Sequence, residues 1–312
     1  MPVSSGHAGT LPLAAATVMQ AIEAGAQQLE AAGVAFGHGT HNAFDEAVWL
    51  VLWQLGLPLD DLDSVAQQAL SQAQQVAVAA LFETRISTRQ PAAYLTREAW
   101  LQGVAFYVDQ RAIVPRSLIA EVLADGLIDP WLAVEAHTTR VLDLCTGNGS
   151  LAVLAALAWP QVHIDASDIS ADALAVAAIN VLRHSLAERI TLVESDGFAA
   201  LPARYDLIVC NPPYVNADSM ARLPAEFLAE PQLALDGNAA GGSDGMDFIR
   251  QLVRQAPQHM HEHAVLVLEI GHEQAHFEAA FPRLEVVWLE TSTTEQQVLL
   301  VTAQALRNFS HS

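Results

Sequence analysis

From about residue 13 to residue 93, Ala, Leu, Gln and Val recur at three- and four-residue spacing, the pattern of amphipathic helices. It breaks at residues 33–39, which hold three glycines, and at Leu57-Pro58. Residues 45–55 carry Val48, Trp49, Leu52 and Leu55, predicting one apolar stripe turned to a core. The small, polar residues 1–10 predict a disordered start. Between residues 100 and 114 the period shifts towards two. Residues 105–108 and 112–114, separated by Asp109-Gln110-Arg111, predict a short hairpin that acts as a hinge.

After Pro115 the pattern alternates. Strands are predicted over residues 140–144, 163–167, 190–194, 205–210 and 264–270, with helices over 151–158 and 171–184. Two late apolar runs, 284–289 and 297–302, are close enough to pair as an antiparallel edge hairpin. Alternating strands and helices predict an α/β fold: a mainly parallel sheet covered on both faces. The expected domains are therefore a helical one over residues 1–95, a hairpin linker over 96–115, and an α/β domain over 116–312.

Composition narrows the class. The 312 residues include 14 arginines, no lysine and 35 acids, for a net charge of −21. No basic stripe is present, so direct, sequence-specific nucleic-acid binding is not expected. A basic macromolecular partner suits this charge, and so does plain surface solubility. The two cysteines, Cys145 and Cys210, lie far apart and in no metal-type spacing, which fits a reducing cytosol. No apolar run is long enough for a membrane span, and no positive charge precedes the first apolar stretch as in a signal peptide. A cytoplasmic protein is expected.

Candidate chemistry starts at Asp143-Leu144-Cys145-Thr146-Gly147-Asn148-Gly149, where an apolar strand delivers a small-residue turn that opens a helix. Such a turn brings backbone N–H groups close to a ligand, although many merely connect. Asp168 closes the next strand, where an acid can hydrogen-bond ribose hydroxyls or, alternatively, cap the following helix. Asp196-Gly197 follows the third strand. Three strand ends with polar groups make a nucleoside-sized crevice, for a nicotinamide- or a sulfonium-bearing nucleoside. The fourth strand runs into Asn211-Pro212-Pro213-Tyr214. Prolines there hold the backbone extended, so that an Asn side-chain oxygen and a proline carbonyl can both accept from one NH₂ group. Tyr214 offers a flat face to a planar group or to a sulfonium cation.

Asn-Pro-Pro-Tyr after a fourth strand resembles methyltransferases that act on adenine exocyclic amines or glutamine amides. The rest of the chain resembles the HemK-type protein-glutamine N5-methyltransferases, in the branch that modifies the ribosomal protein L-three. The stretches carrying this are His38-Gly39-Thr40, Asp45-Glu46-Ala47, residues 89–95 into Glu98-Ala99-Trp100, and Phe106-Tyr107-Val108-Asp109. Val114-Pro115-Arg116-Ser117, Glu230-Pro231 and Leu233-Ala234-Leu235 match as well. The resemblance implies a Rossmann-like methyltransferase sheet and S-adenosylmethionine as cofactor, with S-adenosylhomocysteine as product. It implies that Asp143 and Asn211 contact the cofactor, that residues 145–149 wrap its methionine end, that Asp168 holds the ribose, and that Asp196-Gly197 lies near the adenine. Asn211 and Pro212 would receive the glutamine amide, with Pro213 and Tyr214 completing the site. It also implies a basic ribosomal protein as partner, recognised by the helical domain. Asn148 departs from the usual Ser or Thr, residues 238–241 extend a glycine loop, and Thr291-Ser292-Thr293-Thr294 replaces a glycine-rich link.

Other assignments remain open at this level. Release-factor glutamines are an alternative substrate, and DNA adenine another, although the charge opposes it. A non-catalytic adaptor has no reason to keep both Asp168 and Asn211-Pro212-Pro213-Tyr214. His272-Glu273-Gln274-Ala275-His276 spells the His-Glu-x-x-His zinc signature, but no downstream glycine–histidine extension follows, so no metal is expected.

Overall fold

The computed structural model describes residues 17–132 and 139–310, so the expected disorder of residues 1–10 lies outside the described residues. The chain divides into two compact units, residues 1–96 and 97–312.

The first unit is helical: α1 (Val18–Ala31), α2 (Ala43–Leu55), α3 (Leu62–Val65), α4 (Gln72–Thr88) and α5 (Ala92–Thr96). Thr17 and Ser71 start α1 and α4 with reciprocal capping boxes to Gln20 and Gln74, and Asn42 caps α2 through Asp45 N. The core face of α2 differs from the predicted stripe. Ala43, Glu46, Ala47, Leu50, Val51 and Leu52 are buried, while Val48, Trp49 and Leu55 are half-buried. The cause is Glu46, whose carboxylate accepts from Arg85 Nε at 2.8 Å and Thr40 Oγ1 at 3.2 Å, so its helix face can turn inward. Burial still raises the Glu46 pKa, against the opposing pull of Arg85. Two stretches of the family resemblance, residues 38–40 and 45–47, thus meet at the buried Glu46 carboxyl, through its hydrogen bond with Thr40.

The second unit begins with an antiparallel hairpin, β1 (Ala99–Leu101) and β2 (Val104–Phe106). This corrects the predicted pairing of residues 105–108 with 112–114. The turn is Gln102-Gly103, both at positive φ (49° and 73°), the geometry that a two-residue hairpin requires. Asp109 bends the later segment without strand pairing: its Oδ1 accepts Arg111 N at 3.1 Å and Arg111 Nε at 2.9 Å. These bonds to Arg111 lower the Asp109 pKa to about 2.

After α6 (Ile119–Ala124) come β3 (Arg140–Leu144), α7 (Ser150–Ala158), β4 (His163–Asp168), α8 (Ala171–Arg183), β5 (Ile190–Glu194) and β6 (Tyr205–Cys210). The short helices α9 (Ala217–Met220) and α10 (Ala225–Leu228) lead to α11 (Asp247–Gln255) and β7 (Met260–Glu269). The chain ends with α12 (Gln274–Ala280), β8 (Val287–Trp288), β9 (Val298–Thr302) and α13 (Ala303–Ser310). Strand β7 starts four residues before the predicted run, because His261, Glu262 and His263 extend it on exposed positions.

Among the described residues, seven strands form one sheet in the order β5-β4-β3-β6-β7-β9-β8. The first five are parallel; β9 runs antiparallel to both β7 and β8. The central strands are apolar at successive positions because both faces are covered. Leu207, Val209, Val265 and Val267 pack with α6 and α7, while Ile208, Cys210, Leu266 and Leu268 pack with α11 and α13. The chain reverses its direction of winding between β3 and β6, which opens a crevice at the carboxyl ends of these two strands.

Candidate active site

Strand β3 delivers Asp143, whose side chain lies at the base of the following turn. Its Oδ2 accepts from Thr146 Oγ1 at 2.5 Å and Ala152 N at 2.9 Å. Burial pushes the Asp143 pKa up to about 7. The turn, residues 145–149, has Cys145, Gly147 and Gly149 at positive φ. At Gly149 a side chain would also crowd α8, with an added Cβ lying 3.1 Å from Ala177 Cβ. Only glycine combines this φ of 81° with so close a helix.

Asp168, at the end of β4, reaches across to this turn. Its Oδ2 accepts Gly147 N at 2.9 Å and its Oδ1 accepts Ser170 N at 2.9 Å. The capping alternative for Asp168 is therefore overturned: Ser170 is the N-cap of α8, accepting Ala173 N. Burial raises the Asp168 pKa, against its backbone hydrogen bonds. Beyond β5, Asp196 is exposed and Gly197 is buried at positive φ.

Strand β6 ends at Cys210, paired in register with Leu144 on one side and Leu268 on the other. The Cys145 thiol is held well above its ordinary pKa, first by a hydrogen bond to Cys210 and then by burial. Asn211 follows, half-buried, and its side chain makes no hydrogen bond among the described residues. Pro212 is buried, and Pro213 and Tyr214 are half-buried. Past them, Val215 N donates to Leu235 O, and Gly237 N donates to Val215 O. Asn238, in the extended glycine loop, donates from Nδ2 to Val215 O at 3.0 Å and accepts Gly245 N at 2.8 Å. That extension braces the backbone after Tyr214. A groove of about 350 Å³ lies beyond it, lined by Met220, Ala221, Leu228, Glu230, Gln232 and Leu235.

The structure thus gathers Asp143, Cys145, Thr146, Gly147, Asn148, Gly149, Asp168, Asp196, Gly197 and Asn211 through Tyr214 at the carboxyl ends of four parallel strands. Among the described residues, three buried side-chain atoms at these strand ends lack a hydrogen-bond partner: Asp143 Oδ1, Asn148 Nδ2 and Ser167 Oγ. Burial of such atoms is costly without a partner, so the strand ends suit a polar ligand.

Several supporting residues were given no role from sequence. Asn180, fully buried on α8, donates from Nδ2 to Asn148 O at 2.8 Å and Tyr107 O at 2.9 Å, and accepts Tyr107 N at 2.7 Å. Its signal was a polar residue within the apolar stripe Ala173, Val176, Ala177 and Val181. Glu230 accepts both guanidinium arms of Arg116 at 2.7 Å each, and Val114 N at 2.9 Å. Glu269, closing β7, accepts from Ser117 Oγ at 2.6 Å, Leu118 N at 2.9 Å and the Tyr214 hydroxyl at 3.3 Å. An acid ending an apolar strand was its signal, as it was for Asp168.

The zinc-type motif does not assemble. His272 lies in the turn before α12, so it shares no helix with His276. Glu273 instead bonds Asn216 Nδ2 at 2.7 Å and His276 Nδ1 at 2.5 Å. No group of three candidate metal ligands occurs among the described residues. Nor is any described helix long and apolar enough to cross a membrane.

The methyltransferase small domain family matches residues 126–287. A ribosomal protein uL3 glutamine methyltransferase of Bordetella pertussis is 52% identical over 93% of this chain and 96% of its own length. The protein of that name from Burkholderia pseudomallei is 50% identical over 95% of this chain and 98% of its own. That from Neisseria gonorrhoeae is 46% identical over 93% and 95%.

Proposed function

The chain belongs to the ribosomal protein uL3 glutamine methyltransferase family, and on that premise we propose that it methylates the side-chain amide nitrogen (N5) of a uL3 glutamine, with S-adenosylmethionine as donor. The observation that carries this reading is Asn211-Pro212-Pro213-Tyr214 at the end of β6, with the Asn211 side-chain amide making no hydrogen bond among the described residues.

The residues at the strand ends fit the cofactor. The unpartnered atoms of Asp143, Asn148 and Ser167 and the backbone of residues 145–149 suit its methionine end. Asp168 retains lone pairs for ribose hydroxyls, and Asp196-Gly197 lies beyond the next strand for the adenine. When bound, the cofactor supplies an electrophilic methyl on a sulfonium and is released as S-adenosylhomocysteine.

A glutamine amide nitrogen is a weak nucleophile, because its lone pair is delocalised into the carbonyl. Asn211 Oδ1 and the Pro212 carbonyl accept its two hydrogens, fixing the nitrogen for in-line displacement. Both acceptors also favour the positive charge that develops on that nitrogen. No strong base stands in Asn-Pro-Pro-Tyr; the proton leaves to water after transfer. Pro213 keeps the peptide extended, and Tyr214 presents its ring to the planar amide.

The helical unit supports a basic protein partner. Residues 1–96 hold eight acids and two arginines, and Arg85 is buried on Glu46. Asp60, Asp61 and Asp63 are exposed together. We assign this unit, with a boundary near residue 96, to substrate recognition. The two free thiols and the substrate class fit a cytoplasmic setting without direct sequence-specific nucleic-acid binding. The test offers labelled S-adenosylmethionine with uL3 and a release factor in parallel. Labelling of uL3 is expected. Labelling of the release factor alone would reassign the substrate, and labelling of neither would reject glutamine methylation.

A further inference from the structure

Tyr214 is held at the phenol end of its side chain by two neighbours. Its ring lies against Gly271, where an added Cβ would come within 2.5 Å of Cε2 and 2.9 Å of Cζ. Its hydroxyl donates to Glu269 Oε1 at 3.3 Å. Glu269 is almost completely buried, and its other oxygen accepts from Ser117 Oγ and from the backbone N–H groups of Leu118 and Ile119. The last register pair of β6 and β7 is Cys210↔Leu268, so Asn211 and Glu269 each directly follow a paired residue on neighbouring parallel strands. A carboxylate surrounded by donors thus ends the strand neighbouring the one that delivers the amide acceptor, and bonds the one aromatic ring of the Asn-Pro-Pro-Tyr peptide.

We infer that Glu269 is a positioning residue for methyl transfer, acting through the Tyr214 hydroxyl to keep the Tyr214 ring in place beside the Asn211-Pro212 acceptors. The inference rests on the glutamine-methylating reading above. Burial raises the pKa of this carboxyl against the opposing pull of its donors, and the geometry, with three donors on one oxygen and the tyrosine hydroxyl on the other, makes it an acceptor. Replacement by Gln keeps an acceptor for Ser117 and Leu118 but turns an NH₂ towards the tyrosine hydroxyl. The hydroxyl must then accept from that NH₂ instead of donating to a carboxylate, so the bond that fixes the ring is reversed and loses its charge, while the fold retains its shape. Displacement of a positioning group by about 1 Å lowers turnover by up to about a hundredfold.

The test is a double-mutant cycle on the full chain with Glu269→Gln and Tyr214→Phe, reading kcat, KM for uL3 and the Kd of S-adenosylmethionine. Each single change is expected to lower kcat at least about tenfold, with cofactor Kd changed by less than about twofold. The double variant is expected to be no slower than the slower single one. Ser117→Ala reports the structural share, and is expected to lower the melting temperature while keeping kcat. Wild-type kcat in Glu269→Gln, multiplying losses in the double variant, or an equal kcat loss in Ser117→Ala would each overturn the inference. If Glu269→Gln does not fold, wild-type kcat in Tyr214→Phe overturns it. An inactive wild type would overturn the substrate reading and this inference with it; an active one with an indifferent Glu269→Gln would overturn this inference alone.

Discussion

Asp168 accepts the backbone N–H of Gly147 at 2.9 Å, so the acid that ends β4 holds in place the glycine turn that follows β3. A second oxygen of the same carboxylate accepts Ser170 N, and lone pairs remain for a ligand. One side chain therefore shapes the turn and lines the crevice. Replacing Asp168 by Asn opposes an NH₂ to one of these two donors. Calorimetric titration is expected to show S-adenosylmethionine binding weakened by about 1.5–3 kcal/mol, the value of a charge-assisted hydrogen bond. Unchanged affinity would remove Asp168 from the cofactor site.

Asp143 gives a pH signature. Burial lifts its pKa from 3.8 to about 7, so the folded state holds a proton that the unfolded chain has already released. The associated stability is fully present below the unfolded value and is lost as pH rises through about 7. At about 1.4 kcal/mol per pH unit, the full change is on the order of 4 kcal/mol. Urea unfolding of the ligand-free protein is expected to show wild type losing stability relative to Asp143→Asn between about pH 4 and pH 7. Parallel pH profiles would place the shifted group elsewhere.

Asn180 links α8 to the carbonyl of Asn148 and to both backbone groups of Tyr107. Asn180→Leu leaves these buried groups without partners and is expected to cost at least about 2 kcal/mol in urea unfolding. Because Asn148 belongs to the turn, cofactor affinity is expected to fall as well. A destabilised variant with wild-type affinity would confine Asn180 to a role in folding.

The ends of β3, β4, β5 and β6 were legible to within a residue, because each strand carries apolar residues and is followed by a polar or small-residue turn. The glycine turn, Asp168 and Asn211-Pro212-Pro213-Tyr214 were legible because strand ends in such a sheet share one edge. The hairpin was placed several residues late. Its strands, Ala99–Leu101 and Val104–Phe106, are too short to show a period, and the segment after them bends on the Asp109 side chain, which periodicity does not report. The inward turn of Glu46 depended on Arg85, 39 positions away. The roles of Glu230 and Glu269 were hidden for the same reason: their partners, Arg116 and Ser117, lie more than a hundred residues earlier.

The most direct measurement is the site of the methyl group. Peptide mass spectrometry of uL3 treated with S-adenosylmethionine and either wild type or Asn211→Ala would locate it. The expected result is one added methyl on a glutamine side-chain nitrogen with wild type, and its loss with Asn211→Ala while cofactor binding persists. A methyl on any other residue type, or full turnover by an Asn211→Ala variant with weakened cofactor binding, would contradict the role given to Asn211 and Pro212.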